Sequence, residues 1–99
     1  MSNAAESNIK DKILLKAVQL AGRKGYRNVT RQDIATALGI AAGSVSYHFK
    51  DMRKLQAAII QYAVDERLYS IVAQGLVEKH PRALAAPVEL RQQAGRTLA

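Results

Sequence analysis

The sequence predicts an all-α fold: a three-helix helix-turn-helix head, a long fourth helix, and a short C-terminal helix or tail. Two observations support this prediction. Apolar residues recur at the 3.6-residue spacing of a helix in residues 9–21 and again in residues 55–76. Between these stretches, two short helical segments meet at Leu38-Gly39-Ile40. A chain of 99 residues is long enough for one modest core.

The first helix is predicted to begin at Asn8, a favourable N-cap whose capping box Asp11 can complete. Its apolar stripe consists of Ile9, Ile13, Leu14, Ala17, Val18 and Ala21. The helix is expected to end near Gly25, since glycine can adopt the positive φ that closes a helix. Tyr26 and Val29 follow in the connection and are expected to fold back onto the core.

The second helix is predicted to begin at Thr30, whose hydroxyl can cap the amide of Asp33 while the Asp33 carboxylate caps the amide of Thr30. Gly39 ends it. Its buried edge is expected to comprise Ile34, Ala35 and Leu38. The third helix is predicted over residues 41–48, with Val45 and the following Phe49 facing inward.

A fourth helix is predicted over residues 52–79, with Asp51 as its N-cap. One apolar face comprises Leu55, Ile59, Tyr62, Tyr69, Val72, Ala73 and Leu76, and a second comprises Ile60, Val64, Leu68 and Ile71. A three-helix head can cover one face, so the other needs either the C-terminal segment or a second copy of the chain. Pro81 ends the pattern, and Pro87 can start a last helix over residues 88–98. We therefore expect a disordered N-terminus at residues 1–7, a head at 8–55 and a dimerisation segment at 56–99.

Charge is unevenly distributed along the chain. The net charge is +7, and residues 10–54 contain ten Lys and Arg against three acidic residues. An excess of one sign on one half favours binding of a polyanion. The sequence has no cysteine, no apolar run long enough to cross a membrane and no signal peptide. We expect a cytoplasmic protein that is not an enzyme and has no metal or cofactor.

The geometry of a helix pair holds the second helix of the pair away from the core, so that its outward residues can enter the major groove of DNA. Here those residues are Ala42, Ser44, Ser46 and Tyr47, and Gly43 is small enough to permit close approach.

The run from Thr30 to Leu55 resembles the DNA-binding head of the tetracycline-repressor (TetR) family. The matching residues are Thr30, Ile34, Ala35, Gly39, Ile40, Gly43, Ser44, Val45, His48, Phe49 and Leu55, and Gly25-Tyr26 fits the preceding part of the pattern. The likeness covers residues 9–68. Three positions depart from it: Ala41 replaces a Ser cap, Ser46 a common Tyr, and Met52 a phosphate-binding Lys.

The resemblance implies a role for each matching residue. Thr30, Arg31 and Gln32 would approach the DNA backbone and groove edge, Ser44 a phosphate or base, and Tyr47 the bases. His48 and Lys50 would hold phosphates. Because Met52 cannot bind a phosphate as the family's lysine does, Lys50, Arg53 or Lys54 could bind that phosphate instead.

Family members usually carry a longer C-terminal domain that binds a small molecule and forms the dimer. An effector pocket of about 300 Å³ or more is not expected at this length. We therefore predict a dimeric, sequence-specific DNA-binding regulator, a repressor of a palindromic operator, that is either a short regulator or a fragment. The alternative is an interaction module or antagonist that pairs with another regulator through the fourth helix.

Overall fold

The computed structural model describes the backbone of residues 2–98 and the side chains of residues 9–98. The described helices are α1 (Ser2–Lys24), α2 (Arg31–Leu38), α3 (Ala42–His48), α4 (Met52–Asp65), α5 (Tyr69–Val77), α6 (Pro81–Leu84) and α7 (Val88–Arg96), and a 3-10 turn, Tyr26–Asn28, joins α1 to α2. We call Tyr26–Asn28 the connecting turn. The all-α prediction is confirmed.

The first helix begins earlier than predicted. Because α1 starts at Ser2, Asn8 lies inside the helix and is not its N-cap. The side chain of Asn8 and those before it are outside the described residues, and disorder of residues 1–7 stays a prediction. Within α1, Ile13, Ala17, Val18 and Ala21 are buried as expected, whereas Ile9 is exposed.

The head buries the side chains that were expected to form its core. Tyr26 and Val29 are buried, as are Ile34 and Ala35 of α2 and Val45 of α3. These side chains belong to one core cluster that continues into α4, α5 and α7 through residues such as Leu55, Val72 and Ala94. The head therefore packs on the C-terminal helices through a shared core.

The predicted fourth helix is wrong in its length. The chain leaves the helix after Asp65, and Arg67 adopts a left-handed φ of +57°. The amide of Leu68 then donates to the carbonyl of Ala63 at 2.8 Å, which reverses the chain so that α5 packs against α4. A second reversal at Lys79, also with φ +57°, precedes α6. The cause is burial, since folding back covers apolar residues that one straight helix would expose.

The second apolar face is covered by the C-terminal segment, one of the two partners the sequence left open. Ile60 and Ile71 are buried, and Val64 and Leu68 are half-buried against the same core. Gly75 of α5 permits this packing, because a Cβ there would lie 2.8 Å from the Cβ of Ala83 and 3.1 Å from Cδ1 of Ile60. The exposed face that motivated the antagonist alternative is thus absent from the described helices.

Candidate nucleic-acid interface

The second helix is fixed at both ends by local contacts. The Thr30 hydroxyl accepts from the amide of Asp33 at 3.0 Å, and the Asp33 carboxylate accepts from the amide of Thr30 at 3.0 Å, which is the predicted capping box. At the other end Gly39 has a left-handed φ of +69°, and the amide of Ile40 donates to the carbonyl of Ala35 at 3.0 Å. This turn sets the angle at which α3 leaves α2.

The third helix is attached to the core along one side. Val45 is fully buried and Phe49, just after the helix, is nearly so. Tyr47 lies on the other side with 63 % of its surface exposed, and its ring meets that of His48 edge to face at 5.0 Å. The helix therefore presents a side of small and polar residues around one exposed aromatic ring.

The structure places the predicted contact residues in two groups. Those exposed are Thr30, Gln32, Gly43, Tyr47, Lys50 and Lys54, and those half-buried are Arg31, Ala42, Ser44, Ser46 and His48. Gln32 uses its amide nitrogen for the hydroxyl of Thr36 at 3.0 Å. All of them lie on α2, α3, the start of α4 or the residues next to these helices.

Arg31 has a role that the sequence did not indicate. Its Nη2 donates to the backbone carbonyl of Lys50 at 3.0 Å, which ties the start of α2 to the turn between α3 and α4. Asp51 caps α4 as predicted by accepting from the amide of Arg53 at 2.8 Å. Together these bonds hold the backbone that carries Lys50.

The acidic groups of this region are paired with nearby donors. The Lys24 ammonium lies 2.7 Å from the Asp33 carboxylate, and this bond together with those from Thr30 lowers the pKa of Asp33. The hydrogen bond from the Arg53 amide lowers the pKa of Asp51 in the same way. Both carboxylates therefore remain ionised as structural caps, and the region keeps its positive excess.

Lys10 is a neighbour of the site that sequence reasoning missed. Its Nζ lies 5.3 Å from the centroid of the Phe49 ring, a cation–π distance. This contact brings a basic residue of α1 to the end of α3. No periodicity in the sequence pairs Lys10 with Phe49, because the contact depends on how α1 packs against α3.

Two further kinds of site were searched for among the described residues, a metal site and a membrane-spanning helix. No group of three or more His, Asp or Glu among them is arranged to hold a metal ion. None of the described helices is long and apolar enough to cross a membrane.

The head is rich in basic residues, and α3 is exposed on one side and positioned by the capped helix α2. This arrangement is that of a helix-turn-helix DNA-binding protein. Residues 13–59 match the family model of bacterial regulatory proteins of the tetR family. Residues 13–59 therefore form a DNA-binding head of the tetR family, and the resemblance inferred from the sequence is confirmed for this part of the chain. Neither the curated proteins nor the solved structures gave a match.

Proposed function

We propose that the protein is a cytoplasmic, homodimeric repressor that reads a palindromic operator with α3. The observation that carries this proposal is the exposed side of α3, held in place by buried Val45 and Phe49 within a family head for DNA binding. Two heads related by a two-fold axis would read half-sites about one helical turn apart.

Base reading is assigned to the exposed side of α3. Tyr47 is the largest exposed group there, and Ser44 and Ser46 supply hydroxyls that both donate and accept. Ala42 and Gly43 are small, so the start of α3 can approach the base edges closely. His48 orients the Tyr47 ring through their edge-to-face contact.

Phosphate binding is assigned to the residues beside α3. Thr30, Gln32, Lys50 and Lys54 are exposed around it, and Arg31 acts by holding the backbone of Lys50. Met52 is half-buried against the core, so its position contributes packing and no phosphate contact. DNA affinity should therefore depend strongly on Lys50 and Lys54, because the lysine that the family pattern has at position 52 is replaced by Met52.

A salt titration tests whether the protein binds DNA through phosphate contacts. Anisotropy of labelled DNA from upstream of the coding region should report binding that falls steeply between 50 and 200 mM salt, roughly 10³-fold for six phosphate contacts. Binding with no salt dependence, or equal affinity for the upstream DNA and a shuffled duplex, would refute it.

Two substitutions separate base reading from phosphate binding. Tyr47→Ala should reduce the preference for the operator over a shuffled duplex by about tenfold, whereas Tyr47→Phe reports the hydroxyl alone. Lys50→Ala should weaken both duplexes alike and lower the salt slope by about one. Lys79→Ala is the matched control, because Lys79 is an exposed lysine remote in sequence from the head. If Lys79→Ala and Lys50→Ala have equal effects, the interface is assigned incorrectly.

A further inference from the structure

Lys10 lies on the side of α1 that packs against the rest of the molecule. It precedes the buried Ile13 and the buried Ala17 at spacings that place residues on one face of a helix. The Lys10 side chain itself is exposed, and its Nζ lies 5.3 Å from the centroid of the Phe49 ring. The charge of Lys10 is therefore directed toward the end of α3 and away from the outer side of α1.

This contact places Lys10 near the two lysines already assigned to phosphate binding. Phe49 is the residue before Lys50, in the turn between α3 and α4. Leu14, one turn after Lys10 on the same side of α1, lines a groove of about 330 Å³ together with Lys54. A groove of this size exceeds about 300 Å³, so the expectation that no such cavity fits this chain is wrong. Three lysines from separate parts of the sequence therefore lie near the turn between α3 and α4.

The basic residues of the head differ in whether an acceptor of the protein already binds them. Those with an acceptor are Lys16, Lys24, Arg27 of the connecting turn, Arg31 and Arg53. The ammonium groups of Lys10, Lys50 and Lys54 have no ion pair or hydrogen bond with the residues that the structure describes. Lys10 thus has the same unneutralised charge as the two assigned lysines.

The Phe49 ring orients the Lys10 ammonium without using its hydrogen-bond donors. A cation–π contact acts on the charge, so the three N–H groups stay available to an acceptor. Nearby carboxylates do not compete for them: Asp51 accepts from the amide of Arg53 at 2.8 Å, and Asp11 is directed about 100° away around α1. An anion beside Phe49 would meet a cation whose side chain is already held in place, which lowers the entropy lost on binding.

We propose that Lys10 binds a phosphate of the DNA backbone beside the end of α3, which makes α1 part of the nucleic-acid interface. This inference rests on the proposed function, because it requires α3 to lie in a DNA groove. Phosphates border that groove, and a cation beside the reading helix meets them whatever the base sequence. Lys10 also supplies a cation near the start of α4, where the half-buried Met52 supplies none.

Lys10→Met tests the contact, because methionine keeps an unbranched apolar side chain against Phe49 and removes the charge. Anisotropy of the labelled upstream duplex and the shuffled duplex, between about 50 and 200 mM salt, gives the slope of log affinity against log salt. The slope should be smaller by about one for Lys10→Met on both duplexes, since one phosphate contact contributes about 0.9. Lys10→Arg keeps the charge and the ring contact and should retain the wild-type slope. Lys10→Gln, a second neutral variant, should give the slope of Lys10→Met.

Lys12→Met is the matched control. Lys12 is an exposed lysine of the same helix, about 200° around α1 from Lys10, and its substitution makes the same change in net charge. Its slope should equal that of the wild type. Equal reductions in Lys10→Met and Lys12→Met would attribute the effect to net charge and would overturn the contact.

Combination with Lys50→Ala distinguishes a phosphate contact from an indirect effect through Phe49. If each lysine binds its own phosphate, the slope of the double variant should be smaller than that of the wild type by about two. A double variant with the slope of Lys50→Ala alone would show that Lys10 only positions Lys50, and it would overturn the proposal. Circular dichroism melting of each variant establishes that the protein is folded at the assay temperature.

The wild-type measurement decides the proposed function separately. Wild-type protein that binds neither duplex, or binds without salt dependence, would overturn the proposed function and the Lys10 contact with it. Salt-dependent binding by the wild type with an unchanged slope in Lys10→Met would overturn the Lys10 contact alone.

Discussion

The turn after α2 and the two reversals after α4 and α5 have the same backbone but different residues. In each, one residue takes a left-handed φ and the next amide donates back over five residues: Ile40 to Ala35, Leu68 to Ala63 and His80 to Gly75, at 3.0, 2.8 and 2.8 Å. The head uses Gly39 for the left-handed position, whereas the C-terminal half uses Arg67 and Lys79. Only glycine adopts this conformation without a steric cost.

The difference shows that the two halves stop their helices for different reasons. In the head both ends of α2 are encoded locally, its start by the capping box of Thr30 and Asp33 and its stop by Gly39. In the C-terminal half the stop is imposed by packing, because reversing the chain buries Ile60 and Ile71. Basic residues near a helix C-terminus also interact favourably with its dipole, which offsets part of the cost at Arg67 and Lys79.

The largest effect is expected from a change that prevents the C-terminal packing. Gly75→Val would place new methyl groups where Ala83 and Ile60 already lie, so we expect a loss of about 1–3 kcal/mol in the free energy of unfolding. Gly95→Val in α7 is the control, because nothing lies within 4 Å of a Cβ at that position. Urea unfolding followed by circular dichroism measures both. Equal stability of the two variants would show that the reversals do not depend on close packing at Gly75.

Substitutions at the left-handed positions should change stability in opposite directions. Gly39→Ala should lower the free energy of unfolding by about 1 kcal/mol, because alanine resists a positive φ. Lys79→Gly and Arg67→Gly should raise it by up to about 1 kcal/mol for the converse reason. Lys54→Gly, at an ordinary helical position of α4, should instead be destabilising by about 1 kcal/mol. Destabilisation by glycine at both 67 and 79 would mean that side-chain contacts of Arg67 and Lys79 outweigh their backbone strain.

Local signals explain which parts of the fold the sequence could predict. The N-caps Thr30 and Asp51 and the stop at Gly39 depend on residue types next to the helix end, and all three are found in the structure. Arg67 and Lys79 carry no such signal, so the apolar spacing of residues 52–79 predicted one helix. The pattern placed Ile60 and Ile71 on one apolar face, but it could not decide whether the C-terminal segment or a second copy of the chain would cover that face.

The candidate site follows the same division. The exposure of Tyr47 and the burial of Val45 follow from helical spacing within α3, and both were predicted. The bond from Arg31 to the Lys50 carbonyl and the position of Lys10 over Phe49 depend on how separate elements pack, and neither was predicted. Direct DNA contact by each residue of the site stays a prediction that the substitutions at Tyr47 and Lys50 test.

The smallest effect concerns the pH dependence of the second reversal. His80 caps α6 through Nδ1, which accepts from the amide of Arg82 at 3.1 Å, and burial together with the Arg82 charge lowers the pKa of His80. The unfolded chain then binds a proton more readily than the folded one. The stability contributed by neutral His80 is therefore complete above about pH 6.5 and is lost as the pH falls through the lower folded pKa.

His80→Asn separates the cap from the titration, because asparagine caps a helix well and does not ionise. Between pH 7.5 and pH 5.5 the free energy of unfolding should fall further for the wild type than for the variant. The difference between the two decreases should be under about 1 kcal/mol, since His80 is partly exposed. Parallel pH curves for wild type and His80→Asn would show that the reversal at Lys79 tolerates a protonated cap. The helix ends of the C-terminal half would then depend on apolar packing and not on the His80 cap, whereas α2 in the head depends on its caps.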